Sequence, residues 1–190
     1  EDLSPSFYHE GIFHQLDAAN VWQNESDTAL QTVLENSRRK INQYLYRSDK
    51  QLILIISLGT AHAWFKEDQL VNNCHKLPGQ FFERRLLNKE YIVKEWKQTL
   101  SELPKNLKVI FTVSPVRYTR IGLEENFLGK SILRTAIEAL LEPPNIVYFP
   151  SFEIINDELR DYSFFESNGT HPNSKAVEVV MERFKRFLHL

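Results

Sequence analysis

The chain has 190 residues, 42% hydrophobic and 25% charged, with a formal net charge of −2. That is the balance of an ordinary globular domain, long enough to bury about 70% of its unfolded surface. Dispersed basic residues offer no stripe to nucleic acid, apolar runs of about eight residues are too short for a membrane span, and a lone cysteine, Cys74, excludes an internal disulfide.

No positively charged leader precedes an apolar segment, so the expected location is cytoplasmic. The sole methionine is Met181 and the first residue is Glu1. A large residue in second position blocks removal of an initiator methionine, so residues are expected upstream of Glu1.

In chain order, Phe7 to Asp17 reads as two short runs around Glu10-Gly11, a hairpin pattern. Ser26 or Asp27 caps a helix to about Arg47, with Leu30, Val33, Leu34, Ile41 and Leu45 on its inner face. Gln51 to Thr60 is an unbroken β-branched and leucine run, which predicts a strand buried on both faces of a parallel sheet. Lys66 to Asn88 shows no clear period and reads as a long connection.

A helix follows from about Lys89 to Leu103. Lys108 to Pro115 gives a second buried strand. Glu124 to Glu142 is the strongest helix, with Phe127, Leu128, Ile132, Leu133, Ala136, Ile137, Leu140 and Leu141 on one apolar face. Pro143-Pro144 stops it. Asn145 to Pro150 is a third strand, Phe152 to Leu159 a short helix, and Pro172 to Leu190 the last helix.

Strands alternating with helices predict one α/β domain, a three-layer α/β/α sandwich around a parallel sheet of flavodoxin-like type. Three strong strands leave an apolar edge on a central-looking strand, so the sheet reads as incomplete at its N-terminal side. An exposed edge of that kind also invites self-association.

The sharpest local signal is Asn168-Gly169-Thr170-His171-Pro172-Asn173, a polar turn before the last helix. A histidine on such a turn, near strand C-terminal ends, is either a general base or a surface turn residue. The block resembles the last motif of SGNH hydrolases, Asp-Gly-x-His-Pro-Asn, which supplies the Asp and His of a Ser-His-Asp triad. Asn168 stands at the Asp position: it can hold the imidazole but cannot stabilise imidazolium with a charge. Leu58-Gly59-Thr60-Ala61 resembles the Gly-x-Asn-Asp block, with Ala61 where the oxyanion-hole asparagine belongs.

A wider resemblance is to the GSCFA family of SGNH-like proteins. Its matching pieces include Asn73-Cys74-His75-Lys76-Leu77-Pro78, Glu83-Arg84-Arg85-Leu86, Thr112-Val113-Ser114-Pro115-Val116-Arg117 and Asp157-Glu158-Leu159-Arg160-Asp161-Tyr162. The family's name-giving Gly-Ser-Cys-Phe-Ala motif, whose serine is the nucleophile, is absent and would lie upstream.

The resemblance implies an esterase or acyltransferase acting on an ester, such as an O-acylated glycan, with no cofactor and no metal. His171 would be the base, Asn168 its orienter, and Gly59 with Asn73 the oxyanion donors. Arg85, Arg117 and Arg160 would hold an anionic substrate group or form structural ion pairs. The alternative is a non-catalytic ligand- or glycan-binding module on the same scaffold. The chain by itself is expected to be inactive as a serine hydrolase.

Overall fold

The computed structural model describes residues 5–18, 22–46, 51–72 and 74–189. Its first half contains β1 (Phe7–His9), β2 (Ile12–His14), β3 (Gln23–Asn24), α1 (Asp27–Leu45), β4 (Ile53–Leu58), β5 (His62–Lys66), β6 (Gln69–Val71) and β7 (Glu83–Leu86). Then come α2 (Lys89–Ser101), β8 (Lys108–Val113), α3 (Leu123–Glu138), β9 (Ile146–Tyr148), the single turn α4 (Ser151–Glu153) and α5 (Ser174–Phe187). They fall into two compact units, Glu1–Asp49 with His62–Leu87, and Lys50–Ala61 with Asn88–Leu190.

In the first unit, β1 and β2 form the expected hairpin. Glu10 and Gly11 both take positive φ (46° and 87°), the two-residue turn whose twist matches its strands. β3 pairs with β2. Ser26 caps α1 by accepting from the Ala29 amide at 3.3 Å. Leu30 and Leu34 are buried, but Val33 and Ile41, expected on the same inner face, are 48% and 57% exposed. Val33 lies to one side of the Leu30–Leu34 stripe, and Ile41 lies two turns beyond its packed part.

The stretch expected to be a plain connection instead holds β6 and β7, which flank β5 in an antiparallel sheet of order β6-β5-β7. The β5–β6 turn is again the two-residue type, with Glu67 and Asp68 at φ 49° and 65°. Neither residue is the Asn or Gly that normally announces such a turn, so the sequence conceals it.

The second unit is built on a parallel sheet of order β4-β8-β9. Ile110 and Phe111, successive on β8, point to opposite faces. On one face Ile110 packs with Phe149, Ile154, Val180, Phe184 and Phe187, which brings in α5. On the other, Trp96 of α2 meets Phe111 edge-to-face at 5.2 Å, and α3 buries Leu133, Ala136 and Ile137. This is the α/β/α layering that the alternating pattern predicts.

Two details of this unit differ from expectation. The apolar run of β4 predicts burial on both faces, yet Ile53 and Ile55 are 43% and 53% exposed. Among the described residues β4 has only β8 beside it, so it is an edge strand. On α3, Phe127 and Leu128 are 58% and 45% exposed, off the stripe that faces the sheet. No helix among the described residues is long and apolar enough to cross a membrane.

Candidate functional site

Ligands of open parallel sheets gather beyond the strands' C-terminal ends, and three segments of the second unit meet the sheet there. The first is the turn carrying His171. Its geometry comes from Asn168, whose Oδ1 accepts from the Thr170 amide at 2.8 Å and the His171 amide at 3.3 Å. Gly169 sits at φ 65°, the left-handed region a glycine tolerates. The turn closes with Glu166 N–H donating to the His171 carbonyl at 2.8 Å. Asn173 then caps α5 by accepting from the Ala176 amide, and its Nδ2 donates to the Ser163 and Phe165 carbonyls at 2.6 and 3.3 Å. The cap is therefore Asn173, and helix α5 starts two residues after Pro172.

His171 is exposed, and Asn168 Nδ2 lies 3.4 Å from its Nδ1. Because Asn168 Oδ1 is committed to backbone amides, the side-chain NH2 faces the ring. A donor aimed at Nδ1 leaves the neutral imidazole with its proton on Nε2. No hydroxyl or thiol of the described residues is hydrogen-bonded to the ring.

The second segment is the end of β4. Lys130 of α3 is only 2% exposed, and its Nζ donates to the Gly59 carbonyl at 2.5 Å and the Ser114 carbonyl at 2.6 Å. It ties the ends of β4 and β8 together. Burial pushes its pKa down from 10.5 to about 8. Gly129, just before it, faces the same segment: a Cβ there would lie 3.6 Å from the Ala61 nitrogen, an ordinary contact. Sequence reasoning missed Lys130, although a signal existed. A lysine at position 130 shares a helical stripe with Leu133 and Ile137, where a solvated charge does not belong.

The third segment follows β8. Arg117 N–H donates to the Thr170 carbonyl at 3.0 Å, which joins this segment to the histidine turn. The Arg117 guanidinium lies 5.1 Å from the Tyr162 ring centre and 4.8 Å from that of Phe165. Arg160 lines a small pocket with Arg117. Arg85, by contrast, belongs to the first unit, where its fork is taken by Asp68 and Glu83 and it stacks on Phe65. Asn73 lies outside the described residues.

Other hydroxyls of this region are engaged. Ser151 Oγ donates to the Val113 carbonyl and shares a 2.6 Å bond with Thr112 Oγ1, while Ser114 Oγ accepts from the Val116 amide. A pocket of about 630 Å³ lies at the other end of the sheet, between Leu100, Leu107, Leu140 and Ile146. In the first unit His14 and His75 pack their buried rings edge-to-face at 5.6 Å, and His75 Nε2 is 3.0 Å from the Ala18 carbonyl.

A three-layer α/β/α unit with polar loops gathered at the strands' C-terminal ends defines the general class. The chain belongs to the GSCFA family, whose sequence model matches residues 2–184. No curated protein and no solved structure shows a significant match to it.

Proposed function

We propose that this chain is an SGNH-like acyl-ester module, an esterase or acyltransferase, in which His171 handles the proton and the end of β4 receives the developing oxyanion. The observation that carries the reading is the Asn168–Asn173 turn, hydrogen-bonded within itself and to the segment after β8. It supports a histidine held at the rim where acyl-transfer chemistry needs a base. The hydroxyl comes from outside the described residues, on a strand placed along the open edge of β4. Its oxygen attacks the ester carbonyl and gives its proton to His171. The carbonyl–alkoxide bond then breaks, the proton passes to the departing alcohol, and water or an acceptor alcohol takes the acyl group. The Gly59 amide at the end of β4 donates to the oxyanion in this scheme.

The gene product that contains these 190 residues should hydrolyse short 4-nitrophenyl esters, and its His171→Ala form should be slower by at least about 100-fold. Equal turnover by the two proteins would overturn the reading.

One observation favours a second reading, binding without turnover. With the Asn168 amide nitrogen facing Nδ1, the neutral His171 presents an N–H at Nε2, a donor to a ligand oxygen rather than a base. Saturable binding of an ester with no hydrolysis would support this.

A further inference from the structure

We propose that the groove between the segment after β8, α3 and the 155–165 segment binds a carboxylate-bearing acyl ester, its carboxylate on Arg117 and Arg160 and its apolar body on Phe127, Phe152 and Phe165. Two adjoining hollows make this groove. One, of about 150 Å³, is lined by Arg117, Arg160, Asn156, Tyr162 and Phe165. The other, of about 340 Å³, is lined by Arg117, Leu123, Asn126, Phe127, Phe152 and Phe165. Arg117, Asn156 and Phe165 line both, so the two hollows adjoin.

The charges select the ligand. Neither Arg117 nor Arg160 has an ion pair or a side-chain hydrogen bond among the described residues, in a chain whose Arg85, Arg134, Arg183 and Arg186 all have carboxylate partners. Arg117 is also held in place. Two aromatic rings lie against its guanidinium, and its backbone is tied to Thr170. A guanidinium packed on rings keeps its fork of N–H donors oriented and has less rotamer entropy to lose on binding. The acidic residues on the walls are Asp161, whose Oδ1 already accepts from the Ser163 amide, and Glu124 at the start of α3. The smaller hollow therefore carries two cations against one engaged carboxylate. An oxyanion with two acceptor oxygens matches a guanidinium fork.

The apolar half has a separate basis. Leu123 and Phe127 are 67% and 58% exposed beside this groove, which is costly surface unless something covers it. Arg117, on the wall of this groove, is hydrogen-bonded through its backbone to the Thr170 carbonyl, one residue before His171. Calling that ligand a substrate rests on the proposed acyl-ester function; its binding does not.

The test is calorimetric titration of the protein with 4-acetoxybenzoate and its uncharged analogue 4-acetoxybenzamide, with inorganic phosphate as a separate arm. The acid should bind roughly tenfold or more tightly than the amide, the yield of about one charge-assisted hydrogen bond. Arg160→Gln, at an exposed position, and Arg117→Met, which keeps the stem between the rings, should each cost roughly tenfold for the acid and little for the amide. Binding is read by calorimetry and turnover separately by release of the phenol, so acid-selective binding without turnover separates failure of the esterase reading from failure of this site. Equal affinity for acid and amide, or loss of acid binding in neither arginine variant, overturns the proposal. Phosphate binding that competes with the acid supports it, and phosphate binding without competition refutes the placement.

Discussion

Replacing Lys130 with methionine keeps an unbranched apolar stem and removes the ammonium. The Gly59 and Ser114 carbonyls then lose their donor, and each buried acceptor left alone costs about 1–3 kcal/mol. The two together set a loss of about 2–6 kcal/mol. Opposing this, the folded protein no longer shelters a cation away from water, and a fall in pKa from 10.5 to about 8 corresponds to about 3.4 kcal/mol. At pH 7 the variant should therefore lie between about 1.4 kcal/mol more stable and about 2.6 kcal/mol less stable than the parent. The pH dependence is sharper. Between pH 8 and 10.5 the unfolded chain keeps a lysine proton that the folded chain has released, so the parent gains up to about 1.4 kcal/mol per pH unit. Below pH 8 both states are protonated and the contribution is flat. Lys130→Met has no such rise. Urea unfolding of both proteins from pH 7 to pH 10 should show the gap widening by about 2–3 kcal/mol, and a constant gap would refute the account of a cation held against burial.

Gly129→Ala should stabilise by about 0.5–1 kcal/mol in thermal unfolding, because its Cβ meets only ordinary contacts and alanine favours the helix; destabilisation would mean that α3 approaches the Gly59–Ala61 segment more tightly than described. Asn173→Ala removes the α5 cap and two bonds to carbonyls, so a loss of about 1–2 kcal/mol in urea unfolding is expected. Burial, with the neighbouring His75 and His9, lowers the pKa of His14. Its contribution is complete above the unfolded value near 6.5 and is lost as pH falls below it, at up to about 1.4 kcal/mol per unit. His14→Phe should show a shallower acid slope, and an unchanged slope would place the acid sensitivity elsewhere.

The elements legible in the sequence were those whose pattern is decided locally. The β8 run, the α2 and α5 stripes and the Glu10-Gly11 turn all carry their signal within about a dozen residues, and each is found within a few residues of its expected place. What the sequence concealed depends on neighbours. β4 and β8 look alike as strings, and only the absence of a second strand beside β4 leaves Ile55 exposed. The Glu67-Asp68 turn lacks its usual residues, so β6 and β7 passed as a loop. The candidate site divides the same way: the 168–173 turn stands out as a motif, and Arg117 and Arg160 as charges in matching blocks. That Arg85 is already spoken for by Asp68 and Glu83, and Lys130 by two strand-end carbonyls, emerges only from three-dimensional pairing.

The 62–87 excursion into the first unit falls between two strands that must pair in the second. Ile53 of β4 meets Lys108 of β8 across 55 positions of chain. That sheet cannot nucleate as a neighbouring hairpin would; a long loop has to close before any ladder bond repays it. Swapping residues 62–87 for a short flexible tether roughly halves that loop and returns only about 0.6 kcal/mol of closure entropy. The main gain would be in assembly speed, and proteolytic nicks within the excursion should slow refolding far more than they weaken the finished sheet.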